Sequence, residues 1–240
     1  MSMICPSIFA SLNPGLCRAV DHYCERTSEA WHAEPINAAT NLAFLIAGWA
    51  AWRLAVKHAA LGKDRLLAVV IAVIPIIGVG SFTFHTLATR WAEWIDVIPI
   101  LIFMLLYLWL AMTRFFGWAA WLRVLILSAF FFATFALEFA VPGTILWGGA
   151  MYLPTVAAFL AMGLAPTRWV EGAQRSFLLA VSVFMLSFTL RTLDAPLCTS
   201  LPFGTHFLWH VLNAALLYLL VRAAILHGSI ARVGDPLAEY

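Results

Sequence analysis

The chain has 240 residues, of which 63% are hydrophobic and only 11% are charged, and its formal net charge is +2. A soluble domain has about 25% charged residues, so this composition excludes one and indicates an integral membrane protein. The positive charge is small and scattered, without the basic cluster that nucleic-acid binding requires, and we expect no nucleic-acid partner. A membrane-spanning helix needs roughly 20 mostly apolar residues, which leaves room for about seven spans and no second globular domain.

The first 36 residues are polar and rich in Asp, Glu and His, and we expect them to form an ordered cap. Seven apolar runs follow, and they predict helices over 37–56, 66–88, 94–113, 119–141, 145–165, 175–194 and 204–226. The alternating ten-residue segments of an outer-membrane barrel are missing, so an all-α seven-transmembrane helix bundle is predicted. The predicted organisation is a cap over 1–36, a bundle over 37–226 and a tail over 227–240.

The distribution of Lys and Arg predicts the orientation of this bundle. Cytoplasmic connections carry an excess of Lys and Arg, so the more basic end is expected to be cytoplasmic. The N-terminus then lies outside, the C-terminus lies in the cytoplasm, and residues 85–94 and 191–204 form exterior connections. Ten basic residues fall at the predicted cytoplasmic end: Arg53, Lys57, Lys63, Arg65, Arg114, Arg123, Arg168, Arg175, Arg222 and Arg232. Four fall at the predicted exterior end: Arg18, Arg26, Arg90 and Arg191.

The cysteines are consistent with this orientation. Cys5, Cys17, Cys24 and Cys198 all fall in the cap or in the exterior connection before the last helix. That side of a membrane is oxidising, which favours disulfides. Four cysteines allow three pairings, and the sequence alone does not choose among them. Four free thiols are the alternative.

Five polar residues near the predicted exterior helix ends need an explanation. An ionisable group at the centre of a span costs roughly 2.5–3.5 kcal/mol on insertion scales and usually faces the bundle interior. Ser81 and His85 share one face of the second helix because they are four residues apart, and Asp96 opens the third helix. His206 and His210 share one face of the last helix in the same way. We therefore expect all five side chains to lie at one membrane depth.

Three neutral imidazoles can bind zinc and leave a fourth position for water, which is typical of a catalytic site. Zinc polarises a carbonyl group and lowers the pKa of its water to about 7. Asp96 is the candidate for accepting and returning a proton, and Ser81 for a hydrogen bond to a developing oxyanion. The alternatives are interfacial histidines that bond only to water or backbone, an Asp96 that merely caps its helix, and a bis-histidine haem.

The residues in question are Ser81-x-x-x-His85, then Asp96 after ten further residues, and His206-x-x-x-His210. This pattern resembles the alkaline ceramidase family, which belongs to a superfamily of seven-helix membrane hydrolases that includes the adiponectin-type receptors. The resemblance implies zinc bound by the three histidines, with Ser81 and Asp96 assisting hydrolysis. The predicted function is cleavage of the amide bond of ceramide, or of a related N-acyl lipid, into a fatty acid and a sphingoid base.

The competing hypothesis is an adiponectin-receptor-like lipid sensor in the same superfamily, with a mainly structural zinc site. Those receptors are described with a cytoplasmic N-terminus, which is opposite to the predicted orientation.

The cap extends the resemblance. The matching residues are Asp21, Cys24, Glu25, Glu34, Asn37 and Asn41. In family members whose cap binds calcium, carboxylates and backbone oxygens of this segment supply the six to eight oxygen ligands that calcium takes. The resemblance therefore implies calcium at Asp21, Glu25 and Glu34, against the alternative of a solvated acidic cap. The Cys24 to Glu34 spacing is two residues shorter than in the family, and Thr27 stands where an Asn is expected.

Asp194, four residues before Cys198, also matches the family. That match supports the pairing we favour, Cys24 with Cys198, which leaves Cys5 with Cys17. For Asp194 itself we expect an ion pair with Arg191, three residues earlier on the same helix.

The short tail carries no obvious retention signal. A compact chain of this kind is consistent with a bacterial inner membrane and an active site facing the periplasm. The alternative is an endoplasmic reticulum or Golgi membrane with a lumenal site.

Overall fold

The computed structural model describes residues 5–61, 64–164 and 171–228, and it confirms the expected all-α fold. Long apolar runs form helices because the bilayer offers no partners for free backbone groups. Short 3₁₀ turns cover Pro14–Cys17, Leu146–Gly148 and Ala150–Tyr152. The α-helices are α1 (Ser7–Leu12), α2 (Pro35–Thr40), α3 (Leu42–Lys57), α4 (Arg65–Leu87), α5 (Arg90–Arg114), α6 (Ala120–Ala140), α7 (Leu153–Leu164), α8 (Glu171–Leu197) and α9 (His206–His227).

Among the described residues, six helical segments are long and apolar enough to cross a membrane, counting α2 and α3 as one. The predicted fifth span over 145–165 is different, because the described part of its α-helix, α7, has only 12 residues. Such a helix is about 18 Å long, whereas the hydrocarbon layer is about 30 Å thick. Leu146 and Trp147 have positive φ angles, so the chain turns through this apolar segment before α7 begins. The seven-span count therefore stays a prediction.

The two connections predicted at the site end are shorter than expected. Residues 88 and 89 alone separate α4 from α5, because Ala88 takes the left-handed conformation and reverses the chain. Asp96 consequently lies in the second turn of α5 and does not open that helix. Helix α8 continues through Pro196, so the second connection covers 198–205.

The cap packs on this end of the bundle. An isolated antiparallel bridge joins Ala19 to Thr89 in the α4–α5 turn. Both favoured disulfides are present, Cys5–Cys17 within the cap and Cys24–Cys198 between the cap and the connection that follows α8. The cap is therefore fixed over the helix ends that carry the predicted site.

The opposite end of the bundle is held by a buried ion pair between Asp64 and Arg114. Asp64 also caps α4 by accepting a hydrogen bond from Leu67 N at 3.0 Å, and Arg114 donates to Ala224 O at 3.0 Å. These contacts link α4, α5 and α9. Residues 229–240 of the predicted tail, and the predicted cytoplasmic residues Lys63, Arg168 and Arg232, lie outside the described residues. The orientation stays a prediction.

Candidate metal centre

The three predicted histidines lie together, since α4 ends beside the start of α9. The ring centroids of His85 and His206 each lie 4.7 Å from that of His210, and they are 5.2 Å from each other. One ligand nitrogen from each residue lies within 4.8 Å of the other two. All three side chains are buried. Within the described part of the chain, this is the only close group of three or more potential metal-ligating side chains.

Hydrogen bonds determine which imidazole nitrogens are available to an ion. His85 Nδ1 lies 2.5 Å from Glu34 Oε2, and His210 Nδ1 lies 2.9 Å from Thr40 Oγ1. The Thr40 hydroxyl donates to Ile36 O, so its oxygen accepts from His210. His85 Nε2 is buried and has no hydrogen-bond partner among the described residues. Metal-ligating histidines usually donate their second N–H to a carboxylate or another oxygen, so the surroundings of His85 and His210 fit zinc.

Ser81 lies one turn before His85 on α4 and is buried. Asp96 of α5 lies close to both Ser81 and His85. Asp96 Oδ1 is buried without a hydrogen-bond partner in the described ranges. An unpartnered buried carboxylate oxygen beside the histidines is suited to accept a proton from a bound reactant.

Gly80 explains how Asp96 comes so close to Ser81. A Cβ atom at Gly80 would lie 2.3 Å from Ile95 O and 3.5 Å from the Cα of Asp96. Only a residue without a side chain allows the backbones of α4 and α5 to approach in this way. The role of Gly80 could not be predicted from the sequence, because a glycine in an apolar helix gives no sign of which neighbour it faces.

The resemblance implies that Glu34 binds calcium, but in the structure its carboxylate bonds other side chains. It is buried, and its Oε1 accepts a hydrogen bond from Arg26 Nε at 2.5 Å while its Oε2 bonds His85 and Asn37. Burial alone raises the pKa of Glu34, but the hydrogen bond with His85 and the charge of Arg26 outweigh it, and the pKa lies below its ordinary value. Glu34 is therefore an ionised partner of a candidate metal ligand.

The other two calcium candidates do not join Glu34 in a cluster of free oxygens. Both carboxylate oxygens of Glu25 accept backbone N–H groups at the start of α2, from Ile36 at 2.6 Å and from Asn37 at 2.8 Å. Asp21 is exposed. Calcium therefore gains no support from the described contacts.

The predicted ion pair of Asp194 with Arg191 is wrong. Asp194 Oδ1 accepts from Thr205 N at 2.6 Å and from His206 N at 2.9 Å, and its Oδ2 accepts from Cys24 N at 3.0 Å. The first amides of a helix have no partner within the helix, so they attract a carboxylate. Asp194 thus fixes the start of α9, where His206 lies, and links it to the cap.

Arg191 instead lies above two aromatic rings. Its guanidinium carbon is 5.5 Å from the ring centre of Tyr152 and 5.7 Å from that of Trp209, and it donates to Trp147 O at 3.1 Å. Trp209 lies between the two histidines of α9 in sequence, so the guanidinium group of Arg191 lies close to the candidate metal centre.

Tyr23 of the cap covers the centre from outside. Its ring stacks on that of His206 with a centroid distance of 3.6 Å and an interplanar angle of 19°. Burial raises the pKa of the Tyr23 hydroxyl, which therefore stays protonated. The sequence offered no signal for this contact.

An apolar cavity of about 70 Å³ lies inside the bundle. Trp209 and Asn213 of α9 contribute to its wall. The other lining residues are almost all aliphatic or aromatic and include Phe103, Met104, Phe130, Tyr152, Phe159 and Phe184.

Sequence comparison assigns the chain to a family. The model of a family described as Ceramidase matches residues 19–233, which include both parts of the histidine cluster. No curated protein matches the chain. Because the family model covers most of the sequence, the chain belongs to the ceramidase family.

Proposed function

We propose that the protein is a zinc-dependent amidohydrolase that cleaves ceramide, or a related N-acyl lipid, into a fatty acid and a sphingoid base. Membership in the ceramidase family supports ceramide hydrolysis in general. The observation that carries the zinc assignment is the buried histidine cluster, in which His85 Nε2 has no hydrogen-bond partner among the described residues.

His85, His206 and His210 would hold the zinc ion. Bound in this way, zinc supplies a Lewis acid that polarises the amide carbonyl and lowers the pKa of a water molecule. Asp96 accepts a proton from the attacking water at its buried carboxylate and returns it to the leaving amine nitrogen. Ser81 donates a hydrogen bond to Asp96 or to the oxygen on which negative charge develops.

The hydrogen bonds behind the histidines support the same role. Glu34 and Thr40 each accept from an Nδ1–H group, which fixes the tautomer and the direction of His85 and His210. The loss of such a partner typically lowers metal affinity or activity 10- to 100-fold. The apolar cavity beside Trp209 is suited to part of the acyl chain, because its wall offers almost no polar group.

The position of the disulfides supports an exterior site. The Cys24–Cys198 bridge and the histidine cluster lie at the same end of the bundle. Disulfides persist on the oxidising side of a membrane, so we infer that this end lies outside; in the bacterial inner membrane that the sequence favours, it would face the periplasm. Labelling of a cysteine introduced at Ser28 by a membrane-impermeant reagent in intact cells or spheroplasts tests this placement, and protection from the reagent would contradict it.

The test of the proposed function uses purified protein in detergent with added ceramide. Zinc content and fatty-acid release are measured for the wild type, for His210→Ala and for the control His58→Ala, which alters an exposed histidine outside the cluster. We expect about one zinc per chain in the wild type and the control, and a loss of both zinc and activity in His210→Ala. Full activity in His210→Ala would refute the proposal. A zinc-loaded protein that releases no product would instead support the receptor-like hypothesis.

A further inference from the structure

The guanidinium group of Arg26 is enclosed inside the cap. Its side chain is only 6% exposed. Each of its three nitrogens donates to a different oxygen: Nε to Glu34 Oε1 at 2.5 Å, Nη1 to Ser28 O at 3.2 Å, and Nη2 to His85 O at 3.0 Å. A buried charge is very unfavourable unless it is paired and hydrogen-bonded, and Arg26 meets both conditions.

These three oxygens come from separate parts of the molecule. Glu34 directly precedes α2, Ser28 lies in the cap loop, and His85 belongs to the last turn of α4. One positive group thus draws oxygens from three segments to a single point, which is what a bound hard cation does with carboxylate and carbonyl ligands. A metal ion placed there would need the same oxygens and would be repelled by the guanidinium.

We propose that the guanidinium of Arg26 is the built-in cation of the cap, and that the cap of this chain is held together without calcium. The implied calcium ligands fit this proposal. The carboxylate of Glu34 bonds Arg26 and His85, that of Glu25 bonds two backbone amides, and Asp21 is exposed. Too few oxygens remain for an ion that takes six to eight.

Arg26 is also a positioning residue for His85. It holds one oxygen of Glu34 while the other bonds the Nδ1 of His85, and it binds the main-chain carbonyl of His85 directly. Both the side chain and the backbone of this histidine are therefore oriented through one guanidinium. This part of the inference rests on the proposed zinc site, whereas the statement about calcium does not.

The calcium part is tested on the purified wild type in calcium-free buffer. Calorimetric titration with CaCl₂ and the thermal unfolding midpoint, measured with and without millimolar CaCl₂, report binding in the range of weak extracellular sites. We expect no calcium binding and no shift of the midpoint. Stoichiometric binding with a raised midpoint would overturn the proposal.

The positioning part compares Arg26→Ala, Arg26→Lys and the control Arg18→Ala, which alters an exposed arginine of the same cap. We expect zinc affinity, measured by competition with a chelator, to fall about 10- to 100-fold in Arg26→Ala. A lysine keeps the charge but lacks the planar fork, so Arg26→Lys should have a higher unfolding midpoint and a higher zinc affinity than Arg26→Ala, although both stay below those of the wild type. The control matches the wild type.

Equal zinc affinity and equal midpoints in Arg26→Ala and Arg18→Ala would refute the role of Arg26. If Arg26→Ala does not fold, the comparison of Arg26→Lys with the wild type still tests the role. A wild type without zinc would refute the proposed function alone, because the calcium titration and the unfolding midpoints remain measurable.

Discussion

Gly80→Ala tests how closely α4 and α5 must approach for the proposed chemistry. The added Cβ would lie 2.3 Å from Ile95 O, whereas ordinary contacts begin near 3.4 Å. The two backbones must therefore separate by roughly 1 Å, and a displacement of that size at a catalytic group can lower the rate about 100-fold. Overpacking of this kind also lowers the free energy of unfolding by about 1–3 kcal/mol. We expect kcat for ceramide hydrolysis to fall about 100-fold because Asp96 moves away from Ser81.

The matched control is Gly143→Ala, since a Cβ at Gly143 meets no atom within 4 Å. Zinc content separates this explanation from general damage, because the three histidines belong to α4 and α9 and not to α5. We expect Gly80→Ala to keep its zinc while losing activity, and Gly143→Ala to match the wild type in both. A Gly80→Ala variant with wild-type kcat would refute the reasoning about Asp96.

Three further predictions follow from the contacts around the histidines. Glu34→Gln removes the charge that faces the Nδ1 of His85, so zinc affinity in a chelator competition should fall about 10- to 100-fold, and an unchanged affinity would contradict this. Asp194→Asn weakens the acceptor of the first α9 amides and should lower the free energy of unfolding by about 1–3 kcal/mol while both disulfides stay intact. Thermal unfolding measures this loss, with Glu29→Gln as the control. Removal of zinc by a chelator should abolish hydrolysis, and added zinc should restore it; activity that survives metal depletion would argue against a metal-dependent reaction.

Much of the helix arrangement could be predicted because the bilayer requires long apolar runs to be helical. The segment over 145–165 is an exception to this rule. Its residues are as apolar as those of a span, but Leu146 and Trp147 take positive φ angles beside Gly148 and Gly149. Hydropathy does not report backbone dihedral angles, so the start of α7 only at Leu153 could not be predicted.

In the candidate site, too, only some features could be predicted from the sequence. Spacing of four residues places His206 and His210 on one helix face, which is a local property that the sequence contains. The bond between Glu34 and His85 joins positions 51 residues apart, and no spacing rule connects the two. Spacing along the helix favours Arg191 as the partner of Asp194, but the carboxylate accepts from amides at the start of α9 that have no partner within that helix, and no local spacing rule connects these two segments.

The function proposed for the histidine cluster is hydrolysis of the amide bond of an N-acyl lipid. Its most direct test is mass-spectrometric lipid analysis of cells that express the wild type or His85→Ala at equal levels, supplied with ceramide. We expect the wild type to lower one class of N-acyl lipid and to raise the matching fatty acid and amine in equal amounts, whereas His85→Ala leaves all three unchanged. Identical lipid profiles in the two cultures, or equal product formation by His85→Ala, would refute the proposed function.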